Sequence, residues 1–297
     1  MTTGMNRRSF ITSTVGAAGG LAFLGPQKLM AQEGGTLRFA LSAYPPSFEA
    51  WTSTGTAAGT IKLMMHRGLL SYDADGKLRG ELAESWDVDN DGVWTFNLRE
   101  ATWHDGTAVT AQDVAWTVAE VSKPDSAAFR QGQLSLITKV ETPDDRTVRM
   151  TTAEPLATLP SWFAHYHMPI LKTGEPNDTR IGAGPFKLDA VERGVSVSLT
   201  AFDGYYKEGL PKLAGVKAIV YSDENLRVAA LEAGDVDLAE YVPWQAMAQV
   251  DKSDDLTLKA VDGPFMYLTF NGSRPPFDNP KVRQAVAHAI KREDIVA

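Results

Sequence analysis

The sequence contains no cysteine. No disulfide can staple the fold, so a hydrophobic core must hold it, and no thiol is available to carry a lipid anchor at a cleavage site. An excess of positive charge is lacking as well: 29 Lys and Arg stand against 37 Asp and Glu, a net charge of −8. That balance argues against nucleic acid, whose affinity rests on cations neutralising phosphates, and against docking on anionic lipid. The chemistry-bearing signatures of common enzyme classes are also missing. There is no Gly-x-Gly-x-x-Gly fingerprint, no Gly-x-Ser-x-Gly elbow and no His-Glu-x-x-His pair. The paired acids Asp144-Asp145 and Asp254-Asp255 sit in polar turn segments and read as solvated. No internal repeat or low-complexity run is visible.

What is present begins with an export signal. Arg7 and Arg8 precede a mild apolar stretch, Phe10 to Leu24, that is too short and too weak to span a bilayer. The pair in Asn6-Arg7-Arg8-Ser9-Phe10-Ile11 resembles a twin-arginine signal, and Lys28 fits that route. Cleavage near Ala31 is expected, giving a periplasmic protein that is not a lipoprotein. An ordinary secretory signal is the alternative. Such a signal takes three cations with it, so the mature protein is more acidic still.

After the signal the pattern mixes strands and helices. Leu37, Phe39 and Leu41 alternate as a strand, and Ala57 to Met65 reads as a helix with Ile61, Met64 and Met65 on one face. Asn90-Asp91-Gly92 joins Ser85–Val88 to Val93–Arg99 as a hairpin. Thr110 caps a helix whose third residue, Asp113, meets the positive end of the dipole. Strands are expected at Leu134–Val140 and Thr147–Thr151, and a second hairpin at Phe186–Val191 and Val195–Ala201. Then come strand Val216–Tyr221, helix Glu224–Ala233, strand Val236–Ala239 and helix Pro243–Val250. Strands at Leu256–Val261 and Met266–Asn271 precede a helix from Pro280. The class is α/β, a lobe interrupted by an antiparallel subdomain.

Several segments in fixed order carry a resemblance. Leu82-Ala83-Glu84-Ser85-Trp86 is followed by Val93-Trp94-Thr95-Phe96-Asn97-Leu98-Arg99, then Trp103-His104-Asp105-Gly106-Thr107 and Thr110-Ala111-Gln112-Asp113-Val114. Later come Gly182-Ala183-Gly184-Pro185-Phe186 and the run from Tyr267-Leu268-Thr269-Phe270-Asn271 to Val282-Arg283-Gln284-Ala285. Together they resemble family 5 of the bacterial extracellular solute-binding proteins, the dipeptide, oligopeptide and nickel type. The resemblance implies a periplasmic-binding-protein-like fold of type II, cluster C, with two lobes that close on a ligand and hand it to ABC permease subunits. It places lobe I at 32–60 and 181–272, an inserted subdomain at 61–180, and the start of lobe II at 273–297. Most of lobe II is then absent. A full-length protein is expected to be monomeric. The 297-residue chain by itself is expected to bind weakly and to expose the apolar face of its last helix, Val282, Ala285, Val286, Ala289 and Ile290.

The same resemblance implies a peptide or peptide-like solute, with an opine, oligosaccharide, haem or nickel chelate as alternatives and an exported enzyme as the remote one. No cofactor and no metal site are expected. Candidate ligand residues are Ser53, Thr54 and Gly55 in a loop that could equally cap the next helix. Glu240 and Tyr241 stand at a strand's carboxyl end, with Trp244 nearby, where open α/β sheets bind ligands. Phe129 matches a ligand-flanking aromatic of the family, and Phe265 is a weaker candidate of that kind; core packing is the alternative for both. His104, His165 and His167 raise a metal reading, but a packing or surface role is preferred.

Overall fold

A computed structural model of the chain describes residues 34–260 and 268–291. It divides into two compact units, Met1–Leu256 and Thr257–Ala297. The first unit is built on a five-stranded mixed sheet. Its order is β11 (Leu238–Ala239), β1 (Thr36–Leu41), β10 (Gly215–Val220), β9 (Ser196–Ala201) and β8 (Phe186–Glu192). The strands β11 and β10 run parallel to β1, while β9 and β8 are antiparallel to their neighbours.

The period of two in β1 sends its side chains to opposite faces. Phe39 and Leu41 pack with Ile61 and Met65 of α1 (Thr56–Met65), together with Val197, Leu199 and Phe186. Ala40 turns to the other face, against Ala230 of α5 (Glu224–Glu232) and Val236. The sheet is therefore covered on both sides.

Between β1 and β8 the chain builds a four-stranded antiparallel sheet, ordered β4 (Ala83–Val88), β5 (Trp94–Leu98), β7 (Thr147–Thr152) and β6 (Ile137–Asp144). A small hairpin, β2 (Leu70–Tyr72) with β3 (Leu78–Gly80), precedes it. The largest core cluster lies here: Phe96, Leu98, Trp103, Val114, Val118, Met150 and Phe163 are all buried. It packs on α2 (Ala111–Ser122), whose start is fixed as the sequence pattern requires. The Asp113 carboxylate accepts from the Thr110 N–H at 2.8 Å, the Trp103 indole at 3.3 Å and the Thr173 N–H at 2.9 Å. One acid thus caps a helix and ties two loops to it.

The segment Gly182-Ala183-Gly184 shows why glycine is needed at both ends. A Cβ on Gly182 would lie 1.9 Å from the Met65 carbonyl oxygen, and one on Gly184 2.4 Å from that of Met64. The backbone lies directly on the end of α1, and the Gly184 N–H donates to the Met65 carbonyl at 2.9 Å. His104 clasps the same segment: its Nδ1 accepts from the Gly182 N–H, and its Nε2 meets the Gly184 carbonyl at 3.0 Å.

Some elements differ from the sequence pattern. Leu134 closes a short helix, α3 (Gln131–Leu134), and β6 starts only at Ile137. The alternation through Leu134 misleads because the residue is buried by a helical turn, with Ser135 N–H donating to Gln131. Pro143 lies inside β6 rather than beyond it. It is tolerated at an edge strand whose register shifts between Glu141 and Asp144. Another short helix, α4 (Leu159–Trp162), and the β2–β3 hairpin have no counterpart in the sequence pattern. Residues 256–260 and 268–271 form no strand; strand propensity acts only where a neighbouring strand supplies the ladder. The remaining parts of those expected strands lie outside the described residues. The helices α6 (Trp244–Asp251) and α7 (Pro280–Ala289) form as expected, α7 capped by Asn279, whose side chain accepts from the Lys281 N–H at 2.9 Å.

Candidate functional site

The carboxyl ends of β1, β10 and β11 leave the sheet on one side, and three loops gather there. The first runs from Ser42 to Gly55 and enters α1. Gly55 is the N-cap with φ 96°, a left-handed value that costs glycine little. Ser53 is buried, and its hydroxyl donates to the Ser47 carbonyl at 3.0 Å. Thr54 and Gly55 are exposed.

The second loop follows β11. The Glu240 carboxylate accepts from the Ser42 N–H at 2.8 Å and the Ser42 hydroxyl at 2.6 Å, so it bridges the ends of β11 and β1. Tyr241 has φ 53°, the one positive value off glycine among the described residues. Its hydroxyl is 2.8 Å from that of Thr56, the first residue of α1. Arg227 of α5 holds this turn in place. It is 3% exposed, and its guanidinium donates to the carbonyls of Tyr221, Glu240 and Tyr241 at 2.6, 2.7 and 2.9 Å. Three carbonyls ending two strands are thereby satisfied by one buried cation. Trp244 begins α6 and is 78% exposed, with no ring or hydrogen-bond partner among the described residues.

The third element is an aromatic stack. The Phe129 N–H donates to the Trp51 carbonyl at 2.9 Å, which places it beside the first loop. Trp51 is fixed in turn by Asn177 and by the Pro169 carbonyl. The exposed Phe129 ring stacks on His167 with centroids 4.1 Å apart, and His167 lies 3.9 Å from Tyr166. Tyr166 rests on Gly59 of α1. His165 Nδ1 accepts from the His167 N–H and lies 3.0 Å from His167 Nδ1, so its own Nδ1 is unprotonated. Burial first, then Lys62 and neighbouring His165, push His167 down to about 4. Burial also lowers His165, helped by Arg130 and Lys62. Both imidazoles are neutral at pH 7.

The structure thus brings Ser53, Thr54, Gly55, Glu240, Tyr241 and Phe129 to one end of the mixed sheet; Phe265 lies outside the described residues. Two residues that the sequence pattern does not single out organise this end, Arg227 and Lys62. Lys62 is 3% exposed and donates to the carbonyls of Ala50 and Ser53 at 3.0 and 2.7 Å. A signal exists for it, since a lysine at position 62 falls between Ala58 and Met65 on the buried side of the helix. Among the described residues no group of three or more acids and imidazoles is arranged to hold a metal. Nor is any helix there long and apolar enough to cross a membrane.

Loops gathered at the carboxyl ends of parallel strands stand where open α/β sheets bind ligands, and the fold as a whole matches that of periplasmic binding proteins. The chain belongs to the bacterial extracellular solute-binding proteins, family 5, whose middle-region model matches residues 77–297. Among curated relatives, the glutathione-binding protein GsiB of Pectobacterium atrosepticum is 30% identical over 260 residues, covering 84% of this chain and 51% of that protein. Among solved structures, AgaA of A. tumefaciens R10 in complex with agropinic acid is 42% identical with a TM-score of 0.82, covering 87% of this chain and 54% of that one. The oligopeptide-binding protein AppA of Bacillus subtilis, in complex with a nonapeptide, is 27% identical with a TM-score of 0.80, over 89% and 55%. The chain spans about half the length of the relatives it matches. Those relatives are binding proteins by name.

Proposed function

We propose that this chain belongs to an exported solute-binding protein that serves an ABC importer, with a first lobe at 32–60 and 181–272, an inserted subdomain at 61–180 and the start of a second lobe at 273–297. In this reading it captures a peptide or peptide-like small molecule and delivers it to permease subunits in the membrane. The observation that carries the reading is the gathering of Thr54, Gly55, Tyr241 and Phe129 at the carboxyl ends of the parallel strands, in a chain of family 5. Exposed aromatic rings there offer apolar area with a polar handle for tyrosine, the composition a small-molecule cleft uses. The arginine pair Arg7-Arg8 supports export by the twin-arginine route to the periplasm, with cleavage near Ala31. No enzymatic step is assigned, since the relatives that the chain matches are binding proteins by name.

A second reading has a specific observation in its favour. The 42% identity to a protein solved with agropinic acid points to an opine-like acid as the solute instead of a peptide. Both readings share the cleft and differ only in what fills it.

The test is a thermal-shift and titration screen of the protein purified at its native length. A ligand that binds only the folded state stabilises it by about 2.7 kcal/mol at a hundredfold excess over Kd. Short peptides or opine acids are expected to raise the melting temperature, and Tyr241→Ala to reduce the shift. Stabilisation by free sugars or Ni²⁺ alone would overturn the assignment, and an unchanged shift in the variant would remove Tyr241 from the site.

A further inference from the structure

Of the seven asparagines in the sequence, Asn271 alone precedes glycine. The pairing has a chemical consequence. The main-chain nitrogen after an asparagine is placed to attack the side-chain amide carbon, and a following residue without a Cβ leaves that nitrogen unshielded. Asn271 and Ser273 are exposed, in a turn closed by the Arg274 N–H, which donates to the Asn271 carbonyl at 3.4 Å.

The surroundings of the amide favour that attack. The Asn271 Oδ1 accepts two bonds from one neighbour, the Ser273 N–H at 3.1 Å and the Ser273 hydroxyl at 2.7 Å. Both donors sit on the atom that becomes an oxyanion when Cγ turns tetrahedral. A Cβ on Gly272 would lie 3.8 Å from Nη1 of Arg283, which belongs to α7. That guanidinium is held in place by the carbonyls of Phe277 and Asp278, to which it donates at 2.5 and 3.2 Å. A fixed cation beside the Gly272 peptide favours the negative charge that forms when its N–H is lost.

The other described asparagines lack this set. Asn279 precedes proline, which has no N–H to lose, and its side chain caps α7. Asn90 precedes Asp91, whose N–H donates to the Asp89 carboxylate at 3.0 Å. The side chain of Asn177 is engaged by Trp51 and Thr52, while Asn97 lies in β5 and Asn225 in α5.

We propose that Asn271 is a modification site, converted to aspartate and isoaspartate without an enzyme, with Ser273 and Arg283 promoting the reaction. The Gly272 nitrogen gives its proton to hydroxide and bonds to Cγ, and the carbonyl electrons move to Oδ1. The intermediate then collapses. The Cγ–Nδ2 bond breaks, and that nitrogen takes a proton from water and leaves as ammonia, so a five-membered imide remains. Water opens the imide. Attack at Cγ breaks its bond to nitrogen and leaves an aspartate in the ordinary chain. Attack at the main-chain carbonyl gives isoaspartate instead, with the chain routed through the side chain and longer by one methylene. Ser273 touches the reacting oxygen; Arg283 acts through its charge. The proposal goes beyond solute capture and does not depend on it.

Peptide mapping by mass spectrometry decides it, on protein purified at its native length and aged at neutral pH, with an isoaspartyl methyltransferase to count isoaspartate. Conversion is expected at Asn271 ahead of every other asparagine, and faster as pH rises, because the attacking nitrogen must first lose its proton. Ser273→Ala is expected to slow it about fivefold, the worth of one exposed hydrogen bond. Arg283→Gln slows it as well, and Arg283→Lys restores most of the rate. A merely structural role has the opposite sign: removing a bond that restrains the turn frees the asparagine and speeds the reaction. Gly272→Ala, whose methyl meets nothing closer than 3.8 Å, is expected to fold and to suppress the conversion. Intact Asn271 in the aged protein, or an unchanged or faster conversion in Ser273→Ala, overturns the proposal.

Discussion

The cluster around Glu81 offers the sharpest test of how the first unit is held together. Glu81 stands just after β3, with its side chain 3% exposed. Its carboxylate accepts from the Tyr206 hydroxyl at 2.6 Å, Lys207 at 2.8 Å and the Ser71 hydroxyl at 2.8 Å. Arg67 lies 3.6 Å away. Burial alone would raise this carboxyl, but the bonds from Lys207 and Tyr206 and the charge of Arg67 outweigh it and hold it below the ordinary carboxylate range. Glu81→Ala leaves Lys207 and Arg67 around a vacated site, and removing one member of a buried pair costs ~3–5 kcal/mol. That is a large share of the ~5–15 kcal/mol that separates a folded domain from its unfolded chain. The assay is urea denaturation of wild type, Glu81→Ala, Lys207→Met and the double variant. The double variant is expected to recover part of the loss, because it removes the stranded cation as well. The pH dependence has a definite sign. A carboxyl whose folded value is depressed stabilises above its unfolded value and loses that contribution as pH falls through the folded one. A loss below ~1 kcal/mol, the size of an exposed pair, would refute the reasoning.

Two further outcomes follow from the same geometry. Gly182→Ala places a methyl within 1.9 Å of a backbone oxygen that cannot swing aside, so β8 must lift from α1; a loss of ~3 kcal/mol or more, or insoluble expression, is expected, of the kind overpacking produces, and a near-neutral thermal midpoint would contradict it. The histidines set the acid limit: burial holds His66 down to about 3 and His167 to about 4 and lowers His104 and His165, so the unfolded chain binds more protons below about pH 6.5, and stability should fall with pH from there at up to ~1.4 kcal/mol per unit for each histidine. His66→Gln is expected to flatten that slope in denaturation series from pH 7 to 5, and an unchanged slope would assign the acid response to carboxylates alone.

The scaffold was legible in the sequence because its signals are local and redundant. The alternation of Leu37, Phe39 and Leu41 has one solution as a strand, and Thr110 with Asp113 has one as a capped helix. The glycines at 182 and 184 entered only as part of the family resemblance, and their reason, the end of α1 lying directly against them, needs the fold. Leu134 shows the opposite case: an apolar run of that length fits a strand or a helical turn, and burial from another element decides. The candidate site could be read from the sequence only as positions. Thr54, Gly55, Glu240, Tyr241 and Phe129 could be placed at strand ends and loops, and the structure gathers them. What the pattern could not convey was which polar groups are already satisfied. Ser53 is engaged with Ser47, and Glu240 with Ser42, while Lys62 spends its charge on the carbonyls of Ala50 and Ser53. That distinction is a sum over contacts from five separate segments, 49–56, 62–67, 129–130, 165–167 and 240–241, and no single one of them reveals it. Motifs such as Trp103-His104-Asp105-Gly106-Thr107 and Gly182-Ala183-Gly184 serve packing whatever the ligand, so they identify the family and are silent on specificity.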